Sequence, residues 1–97
     1  MMPLNFAILK YFTMHERASA DDVIAALTPS YGKMRGLRKS AVVSTLMTAE
    51  KNGLLVEDGV TLDTNEELVV YYRTTEESRR VILHYICLLY TSDAADD

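Results

Sequence analysis

The sequence predicts a predominantly α-helical fold completed by a small β-hairpin, an α+β arrangement in one domain. Apolar residues recur at helical spacing in four segments, and the third segment ends at Asn52 and Gly53, two residues that favour helix ends. Between the third and fourth helical segments lie two runs rich in β-branched and aromatic residues, separated by the polar, turn-like segment 63–67. The predicted order is therefore three helices, a hairpin and a final helix.

The carboxy-terminal segment 87–97, CLLYTSDAADD, resembles the conceptual translation of a transposon-type sequencing adapter. We interpret it as an artefactual tail and leave it out of the fold prediction, although an ordinary acidic terminus is the alternative. Without it, 11 of the 14 acidic residues remain against 10 basic residues, and the formal charge changes from −4 to −1. Cys87 is lost with the tail, so no disulfide is expected. Residues 1–86 are predicted to form a single domain whose last helix is truncated.

The amino-terminal stretch MMPLNFAILK does not predict a signal peptide. It has no basic region ahead of its apolar residues and no small-residue cleavage pattern. Nothing in the sequence approaches the roughly 20 apolar residues of a membrane-spanning helix. We therefore expect a soluble, cytoplasmic protein.

An apolar stripe and a helix-start signal indicate the first two helices. The stripe of a helix predicted over residues 3–15 consists of Leu4, Ile8, Tyr11 and Phe12. Ser19 can cap a second helix, and the two aspartates after Ala20 would meet the positive end of its dipole. We predict that this helix closes at Thr28 and Pro29, because the residue before a proline is pushed out of the α region.

The third helix is predicted over about residues 39–52, after the glycine-containing loop 30–37. Gly53 fits the left-handed residue that ends many helices. The buried side should include Val42 or Val43, together with Leu46, Ala49 and Leu54. Counting round the helix leaves Ser40, Ala41, Ser44, Thr45 and Thr48 on or near the opposite side.

Residues 54–62 and 68–74 form the predicted hairpin. Alternation along its second run separates Tyr71 from Tyr72, so one tyrosine should pack inward. Thr74 or Thr75 would then cap a fourth helix. A helix stopped by glycine, a hairpin and a capped helix, in that order, are typical of a winged helix-turn-helix fold.

A basic cluster lies just ahead of the third helix and at its start. Its members are Lys33, Arg35, Arg38 and Lys39, and no acidic residue lies between Tyr31 and Ala49. Such a cluster is a candidate for phosphate contacts, although solvated loop charges are the alternative. The side chains that would face base edges in the major groove are Ser40, Ser44, Thr45 and Thr48. The pattern favours double-stranded DNA as the partner.

The segment AVVSTLMTAEKNGLL, followed by YYRTTEESRR, resembles the PadR and MarR groups of bacterial winged-helix transcription regulators. The similarity covers most of residues 4–86. In these groups the wing returns through a Tyr-Arg-x-Thr-like strand into a helix that starts Thr-x-x-Gly. The matching residues are Tyr72, Arg73, Thr75, Glu76 and Glu77, whereas Ser78 stands where glycine is usual. The resemblance implies that the third helix reads DNA and that the first and last helices form a homodimer.

The predicted hairpin is the wing of such a fold, and its tip is acidic. It carries Asp63, Glu66 and Glu67, where proteins that insert a wing into the minor groove favour arginine or lysine. Either the wing stays off the duplex while the third helix binds, or the domain is a protein–protein interaction module that uses its acidic wing.

No catalytic, cofactor-binding or metal-binding site is predicted. GKMRGLRKS at residues 32–40 is superficially similar to a phosphate-binding loop, but only three residues separate its glycines and a helix precedes it. His15 and His84 are isolated, and no cluster has the spacing of metal ligands. We therefore expect stoichiometric binding and not enzymatic activity.

Overall fold

Four α-helices and a three-stranded antiparallel sheet make up the part of the chain that the computed structural model describes, residues 2–88. The elements are α1 (Leu4–Thr13), β1 (Ala18–Ser19), α2 (Ala20–Tyr31), a 3-10 turn (Arg35–Leu37), α3 (Lys39–Lys51), β2 (Val56–Leu62), β3 (Leu68–Arg73) and α4 (Glu76–Ile86). Apart from Cys87 and Leu88, the predicted artefactual tail lies outside the described residues. None of the described helices is long and apolar enough to cross a membrane.

The core lies where α1, α2 and α3 meet the base of the hairpin. The predicted stripe of α1 supplies Ile8 and Phe12, which are fully buried. The other fully buried large side chains are Val23, Val42, Leu46 and Leu55. Helix α3 is thus buried along the side that carries Val42 and Leu46, and its opposite side is exposed to solvent.

Helix α2 begins as predicted but ends later than predicted. Ser19 caps it, accepting a hydrogen bond from the Asp22 amide (3.2 Å) while the Asp22 carboxylate accepts one from the Ser19 amide (2.9 Å). The prediction that it closes at Thr28 and Pro29 is wrong, because the helix continues to Tyr31. Tyr31 is buried, and its hydroxyl donates a hydrogen bond to the backbone carbonyl of Met2. The burial and hydrogen bond of Tyr31 offset the free-energy cost of the backbone hydrogen bond that Pro29, which has no amide hydrogen, cannot donate.

Helix α3 runs close to its predicted bounds and ends at glycine. Gly53 has a φ of 79°, and its amide donates to the Glu50 carbonyl (3.0 Å) while the Leu54 amide donates to the Ala49 carbonyl (2.9 Å). This pair of bonds is the Schellman pattern, which satisfies carbonyls at the helix end. Val42 is the fully buried valine, and Val43 lies on the exposed side facing the hairpin.

The sheet has the order β1-β3-β2. The hairpin of β2 and β3 was predicted, whereas β1 was not, because two residues show no periodicity. β1 pairs Ala18 with Tyr72 and Ser19 with Tyr71. As predicted, one tyrosine packs inward: Tyr72 is buried, and Tyr71 lies under the Arg17 guanidinium at 4.1 Å from the ring centroid.

Helix α4 is capped by Thr75. The Thr75 hydroxyl accepts from the Ser78 amide (3.0 Å), and the Ser78 hydroxyl accepts from the Thr75 amide (2.8 Å). Ser78 stands at the glycine position of the Thr-x-x-Gly pattern, and here it completes a reciprocal cap. Phe6 of α1 meets Tyr85 edge to face, with ring centroids 5.7 Å apart, so α4 packs along α1.

Candidate nucleic-acid interface

The solvent side of α3 carries small polar side chains. Ser40, Ser44 and Thr48 are exposed, as predicted from the helical spacing. Thr45 is half-buried and lies beside Asn5 and Leu9 of α1, at the edge of this surface. The open side of α3 is therefore centred on the two serines.

Two exposed residues on the same side of α3 were missed by the sequence reasoning. Met47 follows Ser44 by three residues and Lys51 follows Met47 by four, so helical spacing alone could have placed both on this side. Lys51 adds a positive charge at the far end of this surface from the predicted basic cluster. Met47 makes the surface partly apolar.

Three of the four basic residues of the cluster are free of ion pairs within residues 2–88. Lys33 lies in the loop, Arg35 in the 3-10 turn, and Arg38 at the residue that precedes α3; all three are exposed. The Arg38 carbonyl accepts from the Val42 amide (2.9 Å), but its side chain does not cap the helix. The Arg38 guanidinium is therefore available at the amino end of α3.

Lys39 is already paired with an acidic side chain. Its ammonium lies 3.3 Å from the nearer carboxylate oxygen of Asp21, in the first turn of α2, and both side chains are about half-exposed. Such a solvated pair contributes roughly 0.2–1 kcal/mol. Lys39 can exchange this partner for a phosphate at small cost, but Asp21 would remain close to it.

The hairpin tip is an ordered acidic turn. The Asp63 carboxylate accepts hydrogen bonds from the amides of Glu67 (3.0 Å) and Asn65 (2.8 Å). The Glu67 bond, followed by the Asn65 bond and the charge of Lys39, lowers the pKa of Asp63 below its ordinary value. Glu66 and Glu67 are exposed beside it. The tip therefore presents negative charge to solvent.

Within the described residues, no group of three or more histidine, cysteine, aspartate or glutamate side chains is placed to hold a metal ion. His15 stacks on Tyr11 with ring centroids 3.9 Å apart, and its Nδ1 lies 2.8 Å from the Tyr11 carbonyl oxygen. These contacts give His15 a packing role at the end of α1.

Comparison with known proteins identifies solved structures of similar fold. No family model matches the sequence, and no curated protein matches it. PadR of Bacillus subtilis, crystallised in complex with operator DNA, is similar with a TM-score of 0.68 and 16% identity over 89% of this chain. The chain covers 48% of that protein, about half its length.

A proposed transcriptional regulator from Thermoplasma acidophilum, TA0346, is similar with a TM-score of 0.67 and 14% identity. That match covers 97% of this chain and 87% of the other. At these identities the likeness establishes the fold, and it confirms the α+β, winged helix-turn-helix class predicted from the sequence. The protein is thus a winged-helix domain with the architecture seen in PadR.

Proposed function

We propose that this chain is a sequence-specific DNA-binding transcription regulator whose helix α3 enters the major groove. The observation that carries the proposal is the open side of α3, where exposed Ser40, Ser44 and Thr48 follow a basic cluster at the amino end. No acidic residue occurs between Tyr31 and Ala49. The similarity in fold to PadR, crystallised with operator DNA, gives further support.

In this proposal the basic side chains hold the duplex and the small polar side chains read it. Lys33, Arg35, Arg38 and Lys39 contact phosphates. Ser40, Ser44 and Thr48 face base edges, with Thr45 at the margin of the groove. The acidic hairpin tip stays off the phosphates, because its carboxylates would be repelled by them.

The regulator is proposed to act as a homodimer through α1 and α4. Support comes from α4, which leaves Val81, Leu83 and Tyr85 exposed. Val81→Asp should therefore yield monomers in sedimentation. Val60→Asp is a matched control, because Val60 on β2 has the same exposed fraction of 51%. Equal effects of the two substitutions would argue against this dimer surface.

The deciding experiment is fluorescence anisotropy of the 97-residue chain with a mixed-sequence duplex at several salt concentrations. With three or four phosphates neutralised per subunit, a dimer should give a log–log slope of roughly −5 to −7, from about −0.9 per contact. A slope near zero would reject the basic cluster as a DNA anchor. Equal affinity for all duplex sequences tested would reject sequence-specific binding.

Arg38→Glu is the variant that tests the cluster directly. It should abolish binding while the circular dichroism spectrum stays unchanged, because the exposed Arg38 side chain forms no hydrogen bond or ion pair with residues 2–88. Arg79→Glu is the control, an equal charge reversal at an exposed position of α4. Unchanged affinity in Arg38→Glu would remove this residue from the interface.

The second candidate is a protein–protein interaction module that uses the acidic wing. The observation that favours it is the hairpin itself, which has no basic residue between Asp58 and Tyr72 and carries three acidic residues at its tip. A folded dimer that fails to bind DNA even at low salt would favour this candidate over the regulator.

A further inference from the structure

A cleft of about 410 Å³ separates one side of α3 from the hairpin. Val43 and Met47 line it from the helix, and Leu68 and Val70 line it from β3. The exposed fractions of Val43, Met47 and Leu68 are 37%, 57% and 68%. Apolar side chains on both walls therefore face solvent across a space large enough for a small molecule, since such sites begin at roughly 300 Å³.

One end of the cleft carries polar groups from both walls. Glu57 is the cross-strand partner of Tyr72, and Glu50 lies on the same side of α3 as Val43 and Met47. Neither carboxylate forms an ion pair within residues 2–88. This end therefore bears two uncompensated negative charges.

Tyr72 also lines this cleft. Tyr72 is only 6% exposed, yet its hydroxyl has no hydrogen-bond partner among the described residues. Burial, then the charges of Glu50 and Glu57, raise the pKa of Tyr72, and all three residues line the cleft. Among the described residues no buried side-chain oxygen lacks a partner, so the unpaired Tyr72 hydroxyl oxygen itself reaches solvent and can form a hydrogen bond with a ligand in the cleft.

The opposite end of the cleft is close to neutral. Asp21 and Lys39 both line it, and they are paired with each other at 3.3 Å. The net charge of the cleft therefore comes from Glu50 and Glu57. An anionic ligand would be repelled there, and a neutral one would leave the two negative charges uncompensated.

We propose that this cleft binds a small amphipathic organic amine. The ammonium group lies between Glu50 and Glu57 and donates a hydrogen bond to the Tyr72 hydroxyl. The apolar part of the ligand packs between Val43 and Met47 on one wall and Leu68 on the other.

The test is a titration of the isotope-labelled 97-residue chain, followed by amide chemical shifts. The probe is 4-phenylbutylamine, compared with 4-phenylbutanol and 4-phenylbutanoate, which share its apolar body but carry a neutral or anionic head group. The amine should bind about tenfold or more tightly than either, with shifts centred on residues 43–50 and 68–72. Equal binding of all three, no binding at millimolar concentration, or shifts centred on α4 would each overturn the proposal.

Substitutions distinguish the contribution of the two carboxylates to amine binding from that of the Tyr72 hydroxyl. Glu50→Gln combined with Glu57→Gln should remove the preference for the amine, and Tyr72→Phe should weaken the amine about tenfold. Glu67→Gln at the hairpin tip is the control, since it removes the same charge outside the cleft. An unchanged preference in the folded double variant would overturn the site. Tight binding of a short lysine-containing peptide, with none of the amine, would overturn the assignment to a small molecule.

An occupied cleft would also affect DNA binding, a consequence that rests on the proposed function. The ligand would lie against α3, beside the side chains proposed to face the major groove. Because the titration contains no DNA, failure of the amine to bind would leave the DNA-binding proposal intact. Failure to bind DNA would likewise leave the cleft testable.

Discussion

The ammonium of Lys39, at the first residue of α3, lies 3.3 Å from the carboxylate of Asp21, in the first turn of α2. The two residues are 18 positions apart in the sequence, and the packing of α2 against α3 brings them together. One of the four basic residues proposed to contact phosphate is thus partly neutralised by an acidic neighbour. This pair gives the DNA-binding proposal a specific quantitative consequence.

Asp21→Asn should tighten DNA binding. Removing the carboxylate frees Lys39 and removes a negative charge next to the proposed phosphate contacts. In a dimer, the log–log salt slope should become steeper by roughly 2, about 0.9 for each lysine. Anisotropy titrations measure both quantities. The matched control is Glu76→Gln, which removes an acidic residue from the first turn of α4; an equal gain in both variants would point to overall charge and not to Lys39.

Ser19→Ala should destabilise the fold by about 1 kcal/mol, because the Asp22 amide loses its acceptor at the start of α2. For a domain of this size, that corresponds to a decrease in Tm of roughly 4–8 °C. Thermal unfolding followed by circular dichroism measures it. Ser30→Ala is the control, since Ser30 is exposed near the end of the same helix. Similar Tm values for the two variants would show that the cap adds little.

Gly59→Ala should cost about 1–3 kcal/mol, because Gly59 has a φ of 107° in the bulge of β2. An added Cβ would also lie 3.1 Å from Nη1 of Arg17, which donates a hydrogen bond to the Asp58 carbonyl (2.9 Å). Gly53→Ala should cost less, since open space surrounds Gly53 and only its φ of 79° is strained.

Denaturant unfolding of both glycine variants measures this difference. Repeating Gly59→Ala in an Arg17→Ala background separates the contact with Arg17 from the backbone strain. A smaller cost there supports the contact. An identical cost in both backgrounds would assign the whole effect to the φ angle.

The hairpin tip should lose the hydrogen bonds to the Asp63 carboxylate only at pH values below the ordinary aspartate pKa. The pKa of Asp63 is lowered, chiefly by the Glu67 amide, from an ordinary value of 3.8. A lowered folded-state pKa means that the carboxylate supports the turn at all pH values above the ordinary pKa, and that this support is lost as the pH falls through the folded-state pKa. The amide shifts of Asn65 and Glu67 should therefore titrate together below pH 3.8. Titration of these amides above that value, or their insensitivity to Asp63→Asn, would contradict the turn geometry.

Much of the fold could be predicted because its signals are local. The end of α3 at Gly53 and the caps at Ser19 and Thr75 depend on hydrogen bonds between residues no more than five positions apart. The exposure of Ser40, Ser44 and Thr48 follows from helical spacing once the buried side is known. Their role in reading DNA is still a prediction.

Met47 and Lys51 were missed although helical spacing places them, but the other missed features depend on residues distant in sequence. α2 passes Pro29 because Tyr31 is buried and bonded to the Met2 carbonyl, and no local pattern around Pro29 signals this. β1 is only two residues long and exists through its pairing with β3. Thr45 is half-buried and lines a groove together with Asn5 and Leu9 of α1, which are distant from it in the sequence.

The sequence by itself determined the order of the elements, where most of them start and stop, and the basic cluster ahead of α3, because capping, turn chemistry and periodicity act within a few residues. Only the tertiary structure decided that Asp21 neutralises Lys39, and that Glu50, Glu57 and Tyr72 converge on one cleft. Those relationships join side chains from separate helices and strands. They arise from the packing of these elements into one core, which no local pattern encodes.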